Sequence, residues 1–554
     1  MSRNKQNFVH GALILMLSNI IVKAAGALFK IPLSNVIGDA AMGYFGTAYS
    51  IYSVCFLIST AGLPVAISRM VSSALAKKKN GEAEKIYQVS LLIFVVIGIL
   101  GTAILFFGAN ALANITESPE LSVCIKTISP IMFFICLVSC TRGYFQGNQN
   151  MIPTAVSQVI EVMGKLGLGL FAGIFANRQG YSAPVVASFA LSGVTLGVIL
   201  SAVYMSFAKA VAKRDREVGL ADHPRSGKSI AKELIAIAIP ITISSSIMSM
   251  TSVIDSMLAV KRLNDTCIGV SYFTSGNMSE LAMAIYGAYM AKTVTLFNLP
   301  TTIVQPFAIS IIPAISGAGA KGNFEDLKKT VDFTFRIVGA ICLPCAFGIG
   351  VMAKPIVHLL FSGNKELFTN AAGTVFYSND VAGTMLTLIA PAIAFSGLIT
   401  VSAAVLQASG HERKSILSTC CGVLTKALTI WILIGIPSVG HLGIPLSTLL
   451  CYLVMFSFNM FFLSHFLHYR LDFKKTLMIP LIAAASCGAT AGGVYLLIAP
   501  LSAKLGTLIG ILCAVPVYLI LLFRCGGFKK DDVLQLPKGQ TILKLLTKVH
   551  LLKA

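Results

Sequence analysis

Apolar stretches long enough to cross a membrane, each closed by a polar segment, recur along almost the whole chain. About 18 apolar residues carry one helix across a hydrocarbon layer. A helix is favoured because every backbone amide must find its partner inside the segment. The pattern predicts about fourteen spans, near 11–33, 44–67, 87–112, 123–140, 153–176, 184–208 and 234–260, then 281–312, 333–352, 381–406, 416–436, 443–466, 477–497 and 505–523. The eighth stretch is too long for one straight crossing and carries Pro300 and Pro306, so a kink is expected there. The first apolar segment is too long for a secretory leader and no small-residue cleavage site follows it, so no cleavable signal is expected.

The polar segments alternate in charge. One set holds Arg3 and Lys5, Lys77 to Lys79 with Lys85, Arg142, the basic stretch 209–232, Lys321 to Lys329, Arg413 and Lys414, the stretch 470–475 and the tail from Arg524. It carries roughly 30 basic residues against about 7 in the alternate set, so the first set and both termini are expected in the cytoplasm. The tail 541–552 alternates Leu and Ile with Lys at helical spacing, which predicts an amphipathic segment lying on the cytoplasmic leaflet.

Composition agrees. Apolar residues make up 56% of the 554 and charged residues 12%, and mean hydropathy is +0.82, too little charge to cover a soluble chain of this length. A net charge of +21 would suit nucleic acid, but its confinement to alternate loops is a membrane pattern, and no nucleic-acid partner is expected. The thirteen cysteines lie mostly in apolar stretches and are expected to pack; Cys342 and Cys345 enclose Leu343 and Pro344 in one of these and fit packing better than a redox or metal site. The eight histidines are scattered, so no metal centre is expected, and no phosphate-binding glycine loop is present to couple ATP. No cofactor is expected.

The chain also repeats. Ala66-Ile-Ser68 leads to Lys79-Asn-Gly81 at nearly the spacing with which Ala308-Ile-Ser310 leads to Ala320-Lys-Gly-Asn323, and Gln146 precedes Lys165 as Gln407 precedes Lys426. These correspondences predict two parallel six-helix halves. The expected organisation is an N-lobe over 1–208, a basic cytoplasmic linker over 209–232, a C-lobe over 233–466, two appended helices over 467–524 and a tail over 525–554. The fold class is all-α integral membrane.

Charges inside spans carry the chemistry, because placing one in lipid costs several kcal/mol unless it faces a cavity or partner. Lys23 and Lys30 lie in the first span with Asp39 just beyond it, and Arg69 ends the second. Glu161 and Lys165 stand four apart in the fifth and are expected to pair. Asp255 in the seventh is a candidate for cation or proton coupling; Lys292 and Lys426 lie in the eighth and eleventh. This cationic interior suits an anionic cargo. A multidrug cation antiporter would carry interior carboxylates, and a membrane glycan polymerase or transferase would need a catalytic cluster at a membrane face.

Gly62-Leu-Pro-Val-Ala-Ile-Ser-Arg69 and Arg142-Gly-Tyr-Phe-Gln-Gly-Asn-Gln-Asn150, followed by Ser157-Gln158, resemble the stage V sporulation protein B family of polysaccharide-biosynthesis flippases, relatives of the MurJ-type lipid II flippases within the multidrug/oligosaccharidyl-lipid/polysaccharide exporter superfamily. The resemblance extends over at least the first twelve spans. It implies a V-shaped pair of six-helix lobes with a central cationic cavity, and two extra helices forming a lipid-tail groove, here bearing Gly488, Ala491, Gly492 and Gly493. It places Lys23 where the relatives carry arginine, a second basic position near Phe29 and Lys30, Lys292 a helical turn from a further arginine, and Asp39 at an acidic position of the first external loop. The relatives' sodium site would draw on Asp255, but the eleventh span here lacks the Asp and Asn that would complete it. The expected function is translocation of an undecaprenyl-pyrophosphate-linked saccharide, a peptidoglycan precursor first of all, by a monomer working through alternating access and coupled to protons, sodium or the membrane potential.

Overall fold

The computed structural model describes residues 8–214, 225–267, 278–302, 304, 324–364, 366–369, 375–469, 471 and 474–527, with single positions 540 and 547. Residues 215–224 of the basic stretch, the Ala308-Ile-Ser310 repeat and all of the tail 541–552 but Thr547 lie outside the described residues. So does the side chain of Lys23, whose backbone is helical. The chain gathers into two compact units, Met1–Ala291 with Phe368–Thr374, and Lys292–Leu367 with Val375–Ala554.

The first unit opens with α1 (Phe8–Thr60). Its 53 residues would run about 80 Å if straight, more than twice the thickness of a hydrocarbon layer. They do not run straight. Gly38, at φ 81° and ψ 172°, breaks the helix into two limbs, with Pro32 in the turn before. The external loop expected around Asp39 is reduced to this one glycine, which adopts a left-handed φ that a side chain would oppose. There follow α2 (Leu63–Ala76), α3 (Asn80–Ile115), α4 (Leu121–Ile128), α5 (Ile131–Gly147), α6 (Ile152–Gly164), α7 (Leu170–Arg178), α8 (Ala183–Arg214), α9 (Gly227–Ile254), α10 (Val260–Cys267) and α11 (Met278–Ala288).

Helices in lipid gain no hydrophobic drive from packing on each other, so close backbone approach through small residues has to hold them. A Cβ on Gly164 would stand 2.4 Å from Gly197 Cα, and one on Gly193 would stand 2.1 Å from the Gly169 nitrogen, so α8 lies directly on the chain at 164–169. The two sequence motifs meet the same way. A Cβ on Gly143 would stand 2.8 Å from the Pro64 carbonyl, and one on Gly147 would stand 2.7 Å from Val71, which lets α5 settle on α2.

At the cytoplasmic end, as the charge pattern assigns it, two carboxylates that open α3 hold both sides of the basic stretch. Glu84 takes the Lys209 ammonium at 2.7 Å, and that ammonium lies 3.9 Å from the centre of the Tyr144 ring and 4.6 Å from that of Tyr87. Glu82 pairs with Arg225, which also meets Glu233 at 2.6 Å. Glu233 and then Glu82 hold the Arg225 guanidinium above its ordinary pKa.

The second unit comprises α12 (Phe324–Leu360), α13 (Ser378–Ala408), α14 (Glu412–Ile434), α15 (Gly443–Leu467), α16 (Ile479–Ile498) and α17 (Ala503–Arg524). α12 packs on α13 and α16, α14 on α15, and α16 on α17. Gly488 and Gly492 face Phe347 and Val351 of α12, and Gly510 of α17 meets the Ala491 carbonyl. Cys342 is buried against Gly397 as a packing residue.

Ten helices among the described residues are long and apolar enough to cross a membrane. With the two limbs of α1, α9 and the helix from Met278, they are compatible with the fourteen expected spans. This is an all-α, multi-pass membrane protein. The repeat is also visible in backbone detail. Gln149 and Gly410, equivalent by the Gln146/Gln407 correspondence, both have positive φ, at 58° and 79°. Each donates its amide back to the equivalent glutamine carbonyl, at 2.9 and 3.1 Å.

Gly197→Val is expected to cost on the order of 2–3 kcal/mol by forcing α8 off the backbone at Gly164. A lowered thermal midpoint and a fall in monodisperse protein after detergent extraction would register it; unchanged behaviour would show that this crossing is not tight.

Candidate functional site

Four π-helical turns interrupt the helices among the described residues: Lys165–Gly169, Asp255–Ala259, Tyr289–Thr293 and Lys474–Met478. Such turns add a residue to one helical turn and re-aim its side chains, and they gather at functional positions. Three of the four contain an intramembrane charge read from the sequence: Lys165, Asp255 and Lys292.

The first turn belongs to the densest polar cluster of the first unit. Lys30 of α1 and Lys165 are both half-buried, and Phe29, next to Lys30 in the chain, lies against the Lys165 ammonium. The Lys165 ammonium sits 4.6 Å from the centre of the Tyr49 ring and 5.3 Å from that of Phe29. Phe29 and Tyr49 belong to opposite limbs of α1, so the break at Gly38 folds both rings onto the same lysine. Phe29 and Phe45 stand 6.0 Å apart and tilted, while Phe45 and Tyr49 stack at 6.1 Å, which completes the aromatic wall.

Glu161 does not make the expected contact with Lys165. Its carboxylate accepts from Arg142 Nη2 at 3.0 Å, and Arg142 Nε donates to Ser157 Oγ at 2.8 Å. The physical reason is a competition on both sides. A guanidinium already oriented by Ser157 offers the carboxylate a directed charge-assisted bond, while two ring faces hold the lysine. Ser201 donates to the Ser157 carbonyl and Ser18 to Gln158 Oε1, so the quoted residues Arg142, Ser157 and Gln158 are fastened to α1, α6 and α8. The sequence reading missed Arg142 as a partner because it lies at a span end and reads as a topology charge. Its only signal was its place in the motif.

The other sequence candidates are not brought into this cluster. Asp39 is fully buried where Gly287 of α11 rests on its carbonyl. Arg69 is exposed on α2. Asp255 is buried, with Tyr286 within range of its charge. In the second unit Lys292 is 0% exposed and donates to Ser378 Oγ at 2.7 Å, while Thr293 donates to the Ala382 carbonyl at 3.0 Å; together they fix the start of α13. Lys426 is 4% exposed on α14. The second unit also holds a network the sequence gave no charge to reveal: Ser418 donates to Asn459, which donates to Ser402. Among the described residues no three His, Cys, Asp or Glu side chains gather as metal ligands.

A membrane-embedded cluster of three cations and one carboxylate, set among glycine-packed helices, marks the class as a polytopic transporter fold. Residues 8–318 match the polysaccharide biosynthesis protein family, and the chain belongs to it. It is 24% identical over 541 residues to stage V sporulation protein B of Bacillus subtilis (strain 168), covering 96% of this chain and 98% of that one. To the lipid II flippase MurJ of the same organism it is 24% identical over 503 residues, 86% of each chain. The fold is that of a solved structure of lipid II flippase MurJ in an inward closed conformation, with a TM-score of 0.67 at 14% identity over 92% of this chain and 98% of that one.

Arg142→Gln is expected to leave the Glu161 carboxylate partly desolvated without its cation and to destabilise the protein by roughly 1.5–3 kcal/mol. The double variant Arg142→Gln/Glu161→Gln is expected to recover much of that loss. Thermal midpoints of the single and double variants in one detergent form the cycle; purely additive losses would mean that the pair is not coupled.

Proposed function

We propose that this protein is a flippase for an undecaprenyl-pyrophosphate-linked saccharide, lipid II or a related wall or polysaccharide precursor, moved from the cytoplasmic to the external leaflet of a bacterial cell membrane. The observation that carries this reading is the half-buried Lys165 ammonium, held on the rings of Tyr49 and of Phe29, the neighbour of Lys30, while Glu161 is engaged by Arg142. The excess of two positive charges in this cluster matches a diphosphate and opposes a cationic drug. A mostly apolar surround focuses that field on an anion.

In this mechanism the diphosphate enters from the cytoplasmic leaflet and exchanges water for the lysine ammonium groups. Lys23, a further cation of the same span, joins the binding of the head group, and Arg69 at the end of the spans attracts it. The lipid tail stays against the appended helices α16 and α17. No covalent bond changes, and no cofactor takes part. The carrier alternates between inward- and outward-open states, the cargo binding both and the driving gradient biasing their populations. Asp255, buried in its π-helical turn, is the residue through which a proton or cation would act. Lys292 fixes the start of α13 in the second unit. Both termini are cytoplasmic, and the working unit is a monomer.

Lipid II exposed on the outer leaflet of cells depleted of their own flippase tests this. The protein is expected to restore it, and Lys30→Gln at matched membrane abundance to lower the restored amount about tenfold, the effect of losing one charge-assisted contact. Failure of the well-expressed native protein would remove lipid II as the cargo.

A further inference from the structure

Aromatic residues recur at intervals of four, three and four along the second limb of α1, as Phe45, Tyr49, Tyr52 and Phe56, and so share one helix face. Their rings form a continuous row. Phe45 and Tyr49 stack at 6.1 Å, Tyr49 and Tyr52 lie 5.7 Å apart, and Tyr52 and Phe56 lie 5.9 Å apart. The row runs about 16 Å along the helix and carries the Lys165 ammonium on Tyr49. Rings at this spacing are ordinarily packing residues, and two features set these apart. First, a buried tyrosine hydroxyl ordinarily finds a hydrogen-bond partner, as Tyr144 does at Glu84, Tyr469 at Asp332 and Tyr518 at the Ala340 carbonyl. Tyr52 is 6% exposed, yet its hydroxyl makes no hydrogen bond with a described residue, and neither does that of the half-buried Tyr49. Second, a donor and an acceptor with spare capacity stand one turn from Lys165. Arg142 uses Nε on Ser157 and Nη2 on Glu161 Oε2, which leaves its Nη1 and Glu161 Oε1 without a described partner.

We propose that Tyr49, Tyr52 and Phe56 form a saccharide-binding row: the half-buried Phe56 offers its ring to the C–H face of a pyranose, and the two tyrosine hydroxyls bond the sugar's own hydroxyls. This rests on the flippase reading and adds to it a selectivity, a means of telling a glycosylated lipid from a bare one. The chemistry fits a sugar better than the other molecules a ring row could hold. The C–H face of a pyranose is weakly positive and suits the negative face of an aromatic ring, while its rim asks for donors and acceptors together. The free edge of the Arg142–Glu161 pair presents one of each, the pattern that an acetamido group or two neighbouring hydroxyls would answer. A lipid tail would cover the rings but bury the tyrosine hydroxyls without partners, and a cationic drug would be repelled by Lys165.

The test uses the full-length protein in nanodiscs, with binding read by native mass spectrometry. Its probes are undecaprenyl diphosphate carrying one N-acetylhexosamine and bare undecaprenyl diphosphate. The native protein is expected to prefer the glycosylated lipid about tenfold. Tyr49→Phe and Tyr52→Phe, which keep their rings, should each lower that preference about threefold, and together should remove most of it. Phe56→Leu should lower it as well, and Phe56→Tyr should retain it. Affinity for the bare lipid should stay unchanged in these variants, which a merely structural role would not give. In the native protein, saturating the aromatic protons should transfer magnetisation to the pyranose C–H protons of the glycosylated lipid, a readout that needs no variant to fold. Equal affinity of the native protein for the two lipids, or full preference in Tyr49→Phe/Tyr52→Phe, would overturn the sugar site while leaving the flippase reading intact if lipid II is still translocated. A native protein that binds neither lipid and restores no translocation would remove the flippase reading, and the sugar site with it.

Discussion

A lysine ammonium within a hydrocarbon layer costs several kcal/mol unless the protein surrounds it with something better than lipid, and the first unit is arranged around that requirement. Its cluster holds three cations and one carboxylate. The carboxylate is given to the guanidinium, and the Lys165 ammonium is left with the rings of Tyr49 and Phe29. The assignment is economical. Arg142 is planar and can be fixed at two nitrogens, one on Ser157 and one on Glu161, whereas a lysine is a flexible point charge that loses less when it changes partners. The guanidinium is bonded at two nitrogens, and the Lys165 ammonium is held by ring faces.

The same arrangement depends on how closely the helices approach. The rings of Phe29 and Tyr49 reach one lysine because Gly38 breaks α1 between them. The lysine stands where it does because α8 presses onto the chain at Gly164 and Gly169 through its own Gly193 and Gly197. Packing of this kind leaves no room for a Cβ on either side, and the π-helical turn Lys165–Gly169 lies within the contact. Local backbone geometry and the position of the functional charge are therefore one feature, set by four glycines.

Much of this was legible in the sequence. Apolar length gave the spans, and the offset between Gln146 and Gln407 returns in the structure as matched helix ends. The cationic character of the interior was legible too, since charges inside apolar stretches stand out. Partner choice was not. Spacing of four residues suggested that Glu161 would take Lys165, but spacing on one helix says nothing about what a neighbouring helix brings, and here α5 brings Arg142. Lys292 read as a cavity residue for the same reason, its partner Ser378 being 86 residues away. The break at Gly38 was read as an ordinary loop, because a polar residue after an apolar run looks the same whether the chain turns over several residues or at one.

Comparing the two halves of the repeat shows how differently the same lysine is housed. Lys165 and Lys426 are equivalent positions, yet one is half-buried on aromatic rings and the other nearly fully buried. The residues around them differ in one respect that matters. Gly164-Lys-Leu-Gly-Leu-Gly169 in the first half is answered by Thr425-Lys-Ala-Leu-Thr-Ile430 in the second. With Thr425, Leu428 and Ile430 in place of glycines, α14 stays a regular helix through Lys426, Thr425 and Thr429 bonding back to the carbonyls of Cys421 and Thr425. Side chains now occupy the positions through which a neighbouring backbone could approach, and Ile430 is fully buried. Ile430 fills the position that Gly169 leaves to a neighbouring backbone, whereas a Cβ on Gly167 would meet nothing and its counterpart Leu428 is 64% exposed. The lysine common to both halves thus rests on aromatic rings in one and is enclosed in the other.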